Sequence, residues 1–325
     1  MRVLVTGAAG FIGQNLVKKL LEKNAQVRVL VRNKTIEPLF HPDVEICIGD
    51  VVDASSVDNA VRGCDRVFHL AAYAKNWARD PETYKRVNVR GLANILKAAK
   101  QVGVQRVVFT STNLTLDPSI NGVTTEKTGR TVPWFTEYEE SKFLAEETIA
   151  TYIQKGMDIV IVNPTRVFGA GIMTEANSVT KMMSWYVDGS FRVILGDGSN
   201  VGNYGFVDDV VDGHMLAMEK GKRGERYLLG GENVSFTEFF RVLSDVSDVR
   251  KTLFHIPPKL AIAFSHLERI RAKIPGQHPV ITPGWTKLFL QDWACSCAKA
   301  EKELGYAITP FRTAMEKTVH WIRSN

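Results

Sequence analysis

Short apolar runs alternate with amphipathic stretches along the first half of the chain. Val3 to Val5 opens directly into Thr6-Gly7-Ala8-Ala9-Gly10-Phe11-Ile12-Gly13. Ile12, Leu16, Val17, Leu20 and Leu21 then recur at helical spacing, with Lys18, Lys19, Glu22 and Lys23 between them, which is the signature of a helix with one buried face. Val27 to Val31 is a second apolar run, rich in β-branched residues, as a strand covered on both faces requires. Strand, glycine turn, helix and strand within ~30 residues make one βαβ unit. The alternation continues through runs 44–48, 67–70, 107–109 and 159–162, with helical patterns over 87–100 and 137–153. It predicts an α/β fold, a doubly wound parallel sheet.

Beyond Pro164 the rhythm changes. Segments 177–186, 210–220 and 236–246 read as helices, the last opened by a capping box of Ser235 with Glu238, and 226–229 reads as one more strand. Pro257-Pro258, Pro275, Pro279 and Pro283 break the next region into short pieces. Within it, 260–274 is an amphipathic candidate expected to pack over a substrate pocket, with a membrane surface as the alternative. The expected organisation is a Rossmann-type nucleotide domain over residues 1–165. A smaller, mostly helical substrate lobe follows over 166–325, its segments free to interleave with the first.

Composition narrows the classes. With 325 residues, 45% hydrophobic and 23% charged, the chain is an ordinary globular protein, which excludes disorder, collagen and coiled coil. The net charge of +6 is spread thinly with no basic block, so no nucleic-acid partner is expected. Cys47, Cys64, Cys295 and Cys297 are too sparse for a disulfide framework, and Cys295-x-Cys297 has the wrong spacing for zinc, so no metal is expected. No apolar run reaches the ~18 residues of a membrane span. The N-terminal run reads as a strand and not a signal peptide, and a cytoplasmic protein is expected.

Two motifs carry chemistry. In Gly7-x-x-Gly10-x-x-Gly13 the first glycine permits a tight turn, the second a close approach of backbone to a diphosphate, and the third close packing of helix on strand. The turn Phe11-Ile12-Gly13 then offers free N–H groups and a positive dipole end to phosphates. An enzyme for NAD needs an acid after the second strand, but this chain has Arg32-Asn33-Lys34. Arg32 and Lys34 suit a 2′-phosphate, which points to NADP. Further on, Tyr138 and Lys142 are four apart and share one helix face. A nearby ammonium lowers a phenol's pKa from ~10 and makes Tyr138 a general acid/base.

Taken together, Thr6-Gly7-x-x-Gly10-x-x-Gly13 and Tyr138-x-x-x-Lys142 resemble the extended short-chain dehydrogenases/reductases, over essentially the whole chain. The resemblance implies adenine contacts at Asp50-Val51 and a loop beside ribose and nicotinamide at Leu70-Ala71-Ala72. It also implies that Lys142 reaches the ribose hydroxyls, and that a strand-end hydroxyl, Thr112 with Ser111 as fallback, bonds the substrate carbonyl. Asn88 resembles the family's helix asparagine near the active site. Asn163-Pro164-Thr165-Arg166-Val167-Phe168-Gly169 is similar to the dihydroflavonol and cinnamoyl-CoA reductase branch, where Pro164 and Val167 would neighbour the carboxamide. Ala170 replaces the usual proline after Gly169.

The sugar-nucleotide epimerases and dehydratases of this family carry a diphosphate-binding arginine where this chain has Gly202. The leading expectation is therefore an NADPH-dependent reductase of a small-molecule ketone or aldehyde, or the reverse oxidation of an alcohol. The alternatives are a nucleotide-sugar epimerase or dehydratase, a 3-beta-hydroxysteroid dehydrogenase-like enzyme, and a non-catalytic NADP sensor. A homodimer is one option for the assembly. Tyr73, Trp77, Trp134, Trp185 and Tyr186 lie in segments suited to lining an apolar pocket, though core packing is the plainer role, and His69 reads as structural.

Overall fold

The computed structural model describes residues 1–120, 122–274 and 276–325. Among these residues the strands are β1 (Arg2–Thr6), β2 (Gln26–Val31), β3 (Glu45–Ile48), β4 (Arg66–His69), β5 (Arg106–Thr110), β6 (Ile159–Pro164), β7 (Arg166–Phe168), β8 (Val193–Leu195), β9 (Val201–Phe206), β10 (Arg226–Leu229), β11 (Glu232–Ser235) and β12 (Phe254–Ile256). Seven of them form one parallel sheet in the order β3-β2-β1-β4-β5-β6-β10. The strand order switches between β1 and β4, and it is beyond the carboxyl ends at such a switch point that doubly wound sheets bind their ligands. Small sheets, β11-β9-β7 and β12-β8, extend this architecture.

The helices are α1 (Phe11–Glu22), α2 (Ala54–Val61), α3 (Glu82–Lys85), α4 (Gly91–Val102), α5 (Glu137–Gln154), α6 (Ser178–Val187), α7 (Val207–Lys220), α8 (Phe236–Ser247), α9 (Pro258–Arg271), α10 (Pro283–Phe289), α11 (Ala298–Leu304) and α12 (Phe311–Ser324). Strand alternation sorts the core. Val3, Val5, Val108, Val160 and Val162 point to the face covered by α1 and α7. Leu4, Val107, Phe109, Ile159 and Ile161 point to the face covered by α2, α4 and α5. A third cluster, built on Phe168, Tyr204, Phe239 and Phe311, holds the C-terminal elements together.

Several sequence expectations shift. The helix expected over 87–100 starts at α3 and passes through a π-helical turn, Arg86–Arg90, before α4. The capping box at Ser235 is half made. Its hydroxyl accepts the Glu238 N–H at 3.2 Å, but Arg241 takes the Glu238 carboxylate at 2.6 Å. The complete box is at the start of α5, where Thr136 and Glu139 bond reciprocally. Pro257-Pro258 opens a helix where a break is expected, because Pro258 stands at N1, the one turn that has no use for its missing N–H. The segment 260–274 also does not turn its apolar face over a pocket: Ala261, Ser265 and Glu268 are the buried side of α9. Finally, β10 joins the large sheet, and its Tyr227, Leu228 and Leu229 share a core with Val3 and Leu16.

Candidate active site

The glycine turn follows β1. Gly7 has φ +71°, and a Cβ there would lie 2.6 Å from the Leu70 and Ala71 backbone. A Cβ on Gly13 would stand 2.2 Å from the Gly7 carbonyl oxygen, so α1 begins pressed against the turn. Gly10 is the N-cap and donates to the Gly7 carbonyl at 2.9 Å; a Cβ there would meet only that oxygen, at 3.2 Å. Its bare backbone therefore leaves room for a ligand. No side chain caps α1, and its first turn holds no acid, so the positive end of the helix is uncompensated. The Phe11 side chain is buried core and Ile12 packs against the same cluster, leaving their backbone N–H groups for the site.

The other expected cofactor contacts lie along the same carboxyl edge. Arg32 and Lys34 follow β2 and are exposed, with no acid within ion-pair distance among the described residues. Between them the Asn33 carboxamide oxygen accepts the Thr35 N–H at 2.9 Å and shapes the turn. After β3 the Asp50 carboxylate accepts the Val52 N–H at 3.1 Å, while Val51 is buried against Gly91 and its carbonyl accepts from Asn94 at 2.9 Å. Leu70 and Ala71 donate to the Thr6 carbonyl (3.1 Å) and hydroxyl (3.3 Å), which ties the strand-end loop through Ala72 to the glycine turn. Pro164 ends β6 and Val167 is buried in β7. The backbone N–H groups of the first turn of α1 and the unpaired cations at the β2 end fit a dinucleotide diphosphate and an additional anionic group.

The capping box of α5 fixes the next turn of that helix, which carries Tyr138 and Lys142. The Thr112 side chain stands close enough to the Tyr138 phenol to favour its ionised form, and the Thr112 carbonyl accepts from the Asn163 carboxamide at 2.9 Å. Ser111 points the other way. Its hydroxyl donates to the buried Glu146 carboxylate, which also accepts from Thr115 (3.1 Å) and Asn163 (3.0 Å) and pairs with Arg226 at 2.7 Å. The structure thus brings Thr112, and not Ser111, to Tyr138. Asn88 sits in the π turn and bridges two segments, accepting the Tyr73 N–H at 2.7 Å and donating to Ser141 at 2.8 Å. Ser141 in turn donates to the Tyr138 carbonyl at 2.8 Å, so Asn88 positions the helix turn that bears the tyrosine.

Burial sets the electrostatics. The Tyr138 phenol is pushed up to about 12 by burial, against the pull of the Thr112 side chain and with help from the Glu139 charge. The Lys142 amine is pushed down to about 7 by burial, which the Glu146 carboxylate only partly offsets. Its Nζ donates to the Thr110 carbonyl at 2.7 Å and lies 4.7 Å from the centre of the Phe109 ring. The expectation that Lys142 lowers the phenol is not met: burial raises it, and Lys142 is not among the groups that act on it. His69 is structural as expected. Its Nδ1 bonds the Thr6 hydroxyl at 2.7 Å, and burial pushes it down to about 3. Cys295 and Cys297 are buried thiols, pushed up to about 12.

Of the aromatics singled out in the sequence, Tyr186 is core, Trp185 faces solvent beside Lys181, and Trp134 covers the Arg130 guanidinium at 4.5 Å. Tyr73 and Trp77 stay together, hydroxyl to carbonyl, at 3.1 Å. Three residues near the site escape sequence reasoning. Trp285 on α10 stacks 6.4 Å from the Tyr138 ring, Glu146 is the hub beneath Ser111, and Arg166 lies among Tyr204, Phe236 and Phe289. Trp285 falls in the proline-broken region with no periodicity around it, and Glu146 reads as one of several acids on an amphipathic helix. Only Arg166 carries a signal, as a cation inside an otherwise apolar strand-like run.

A family model described as the NAD dependent epimerase/dehydratase family matches residues 3–230. A Synechocystis sp. protein provisionally named dihydroflavonol 4-reductase is 30% identical over 99% of this chain and 94% of its own length. Cinnamoyl-CoA reductase 1 of Petunia hybrida is 34% identical over 70% of this chain and 71% of its own. The UDP-glucose 4-epimerase of Thermus thermophilus, solved in complex with NAD, superposes with a TM-score of 0.80 at 25% identity, covering 99% of both chains. With the glycine turn, the sheet's switch point and the Thr112–Tyr138 pair at one sheet edge, these likenesses place the chain in the NAD dependent epimerase/dehydratase family, the extended short-chain dehydrogenases/reductases.

Proposed function

We propose that the protein is an NADPH-dependent reductase of a small-molecule ketone or aldehyde. The observation that carries this reading is the approach of the Thr112 and Tyr138 side chains, with the Lys142 amine on the Thr110 carbonyl two residues away, at the edge that also bears the glycine turn. NADPH, when bound, supplies the hydride; Gly7, Gly10, Gly13 and the first turn of α1 would hold its diphosphate. Arg32 and Lys34 would grip a 2′-phosphate, and the lack of an acid at that turn favours NADP over NAD. The Thr112 and Tyr138 hydroxyls orient and polarise the substrate oxygen. With its pKa near 12 the phenol keeps its proton at neutral pH, so Tyr138 is poised as the acid that protonates the nascent alkoxide. Lys142, titrating near 7, then stabilises the phenolate while it is charged.

Tyr138→Phe tests the reading. NADPH affinity measured by fluorescence titration should stay within about two-fold while turnover falls by ~100-fold or more; undiminished turnover overturns it. Arg32→Asp should move the NADPH/NADH preference toward NADH, and an unchanged ratio removes the 2′-phosphate assignment.

A second reading, a nucleotide-sugar epimerase or dehydratase, is favoured by Arg166. A Cβ on Gly202 would lie 2.5 Å from the Arg166 guanidinium, so this cation fills the space above the glycine. Its Nη1 bonds the Tyr204 hydroxyl at 3.1 Å and its Nη2 is buried without a partner among the described residues. A guanidinium held this way suits a diphosphate. Binding of UDP-sugars that is lost in Arg166→Met would put this reading first.

A further inference from the structure

The α9 helix is amphipathic in the inverted sense. Its buried side is small or committed: Ala261, Ser265 and Glu268, with Ala272 just past the end. The Glu268 carboxylate is held by Arg271 at 2.7 Å and accepts the Val280 N–H at 2.8 Å. Outward, Leu260, Phe264, Leu267, Ile270 and Ile274 are between 50% and 66% exposed. At 3.6 residues per turn the four on α9 occupy one arc of ~120°, and Ile274 follows three residues past the helix end. The adjoining arc carries Lys259, His266 and Arg269, and Lys273 follows the helix; all four are exposed. Glu268, already paired with Arg271, is the one acid between Pro258 and Ile274. Isolated exposed leucines are ordinary, but four large apolar residues aligned on one helix, with a fifth just past its end, are a surface awaiting cover.

The charge distribution names the cover. An apolar stripe flanked by cations is the pattern of a helix lying in the plane of a bilayer interface, with apolar side chains in the acyl boundary and cations among the headgroups. A second copy packed antiparallel on this stripe would bring the two cationic arcs together, which like charges oppose. At 14 residues α9 is ~21 Å long, shorter than the ~30 Å hydrocarbon core. No helix among the described residues is long and apolar enough to cross a membrane, so α9 lies on a bilayer and does not span it.

We propose that α9 docks the protein onto a lipid surface bearing anionic headgroups. The docked helix packs against α10, which presents Trp285 to Tyr138, so the lipid-facing surface and the candidate active site share a wall.

The test is co-sedimentation of the full chain with phosphatidylcholine vesicles, with and without phosphatidylglycerol, alongside sedimentation velocity without lipid. The first variant is the double substitution Phe264→Glu and Leu267→Glu; the second reverses Lys259, Arg269 and Lys273 to Glu. All five side chains are exposed, and thermal midpoints and near-ultraviolet spectra confirm that the variants fold. The expected result is binding to anionic vesicles that exceeds binding to neutral ones by about ten-fold, weakens with salt and is lost in both variants. Absence of binding to anionic vesicles, or binding that both variants retain, overturns the proposal. So does a dimer in the native protein that the Phe264/Leu267 variant dissociates without any vesicle binding, because the cover is then a second copy.

Discussion

Tyr138 and Lys142 are both driven toward their uncharged forms, by the same burial that makes their contacts strong. Because the ammonium fraction of Lys142 falls as pH rises through about 7, kcat for reduction should fall over the same interval. Lys142→Met should lower kcat and erase that inflection; a profile flat from pH 6 to 8 in the native enzyme would refute the role. The buried imidazoles set a second pH dependence. Burial pushes His69 down to about 3 and His214 down to about 4, whereas unfolded histidine titrates near ~6.5. Between those values the unfolded chain binds more protons, so stability drops as pH falls, by ~1.4 kcal/mol per pH unit for each histidine fully in its window. Urea midpoints should therefore decline from about pH 6.5 toward pH 4, and a flat series would mean that both rings are charged in the fold. At this scale the Tyr138/Lys142 spacing is legible in sequence because a helix turn fixes it. The roles of Thr112 and Ser111 are not, since adjacent residues leave a strand on opposite sides. What turns Ser111 away is Glu146, a partner 35 residues along the chain.

Elements hold these side chains in place. The Thr136–Glu139 box satisfies the start of α5 one residue before Tyr138, and Arg130 lies 3.6 Å from the buried Glu139 carboxylate. Thr136→Ala should cost ~1 kcal/mol of stability by denaturant unfolding and lower kcat more than it raises KM. An effect confined to stability would show that the box does not position Tyr138. Gly13→Ala puts a methyl 2.2 Å from the Gly7 oxygen, and the shift it forces should cost ~1–3 kcal/mol and weaken NADPH binding in the same variant. The Thr-x-x-Glu pattern at residue 136 is as readable as the one at Ser235, and only the second has a competing arginine one turn on. For α9 the sequence shows two unlike faces without saying which turns inward, because that depends on what the rest of the chain leaves uncovered.

At the scale of the molecule, the strand–helix rhythm of the first half makes six strands of the sheet legible, and their parallel pairing follows from the helices between them. The seventh strand is a four-residue run at 226–229 that enters the sheet after 61 intervening residues, and no local pattern marks its destination. Its arrival matters: α7 and β10 cover Val160 and Val162 and complete the cluster that contains Val3. A fragment ending at residue 165 should therefore lack a cooperative thermal transition and aggregate through the bare β6 edge. A fragment with native-like near-ultraviolet signal and cooperative melting would show that the first half is self-sufficient.

The π turn at Arg86–Arg90 has a consequence for length variation. Such a turn is an α-helix that has taken in one extra residue, and here the surplus is stored in the turn that holds Asn88. Removing one residue there would relax the turn to ordinary α geometry while the helix on either side kept its facing, so only the side chains inside the turn would be redistributed. Asn88 would be carried away from Tyr73 and Ser141 while Leu92 and Ile95 kept their seats in the core. The segment is thus a reading-frame device, in which a single-residue indel leaves the scaffold standing and disengages the turn that aims the tyrosine.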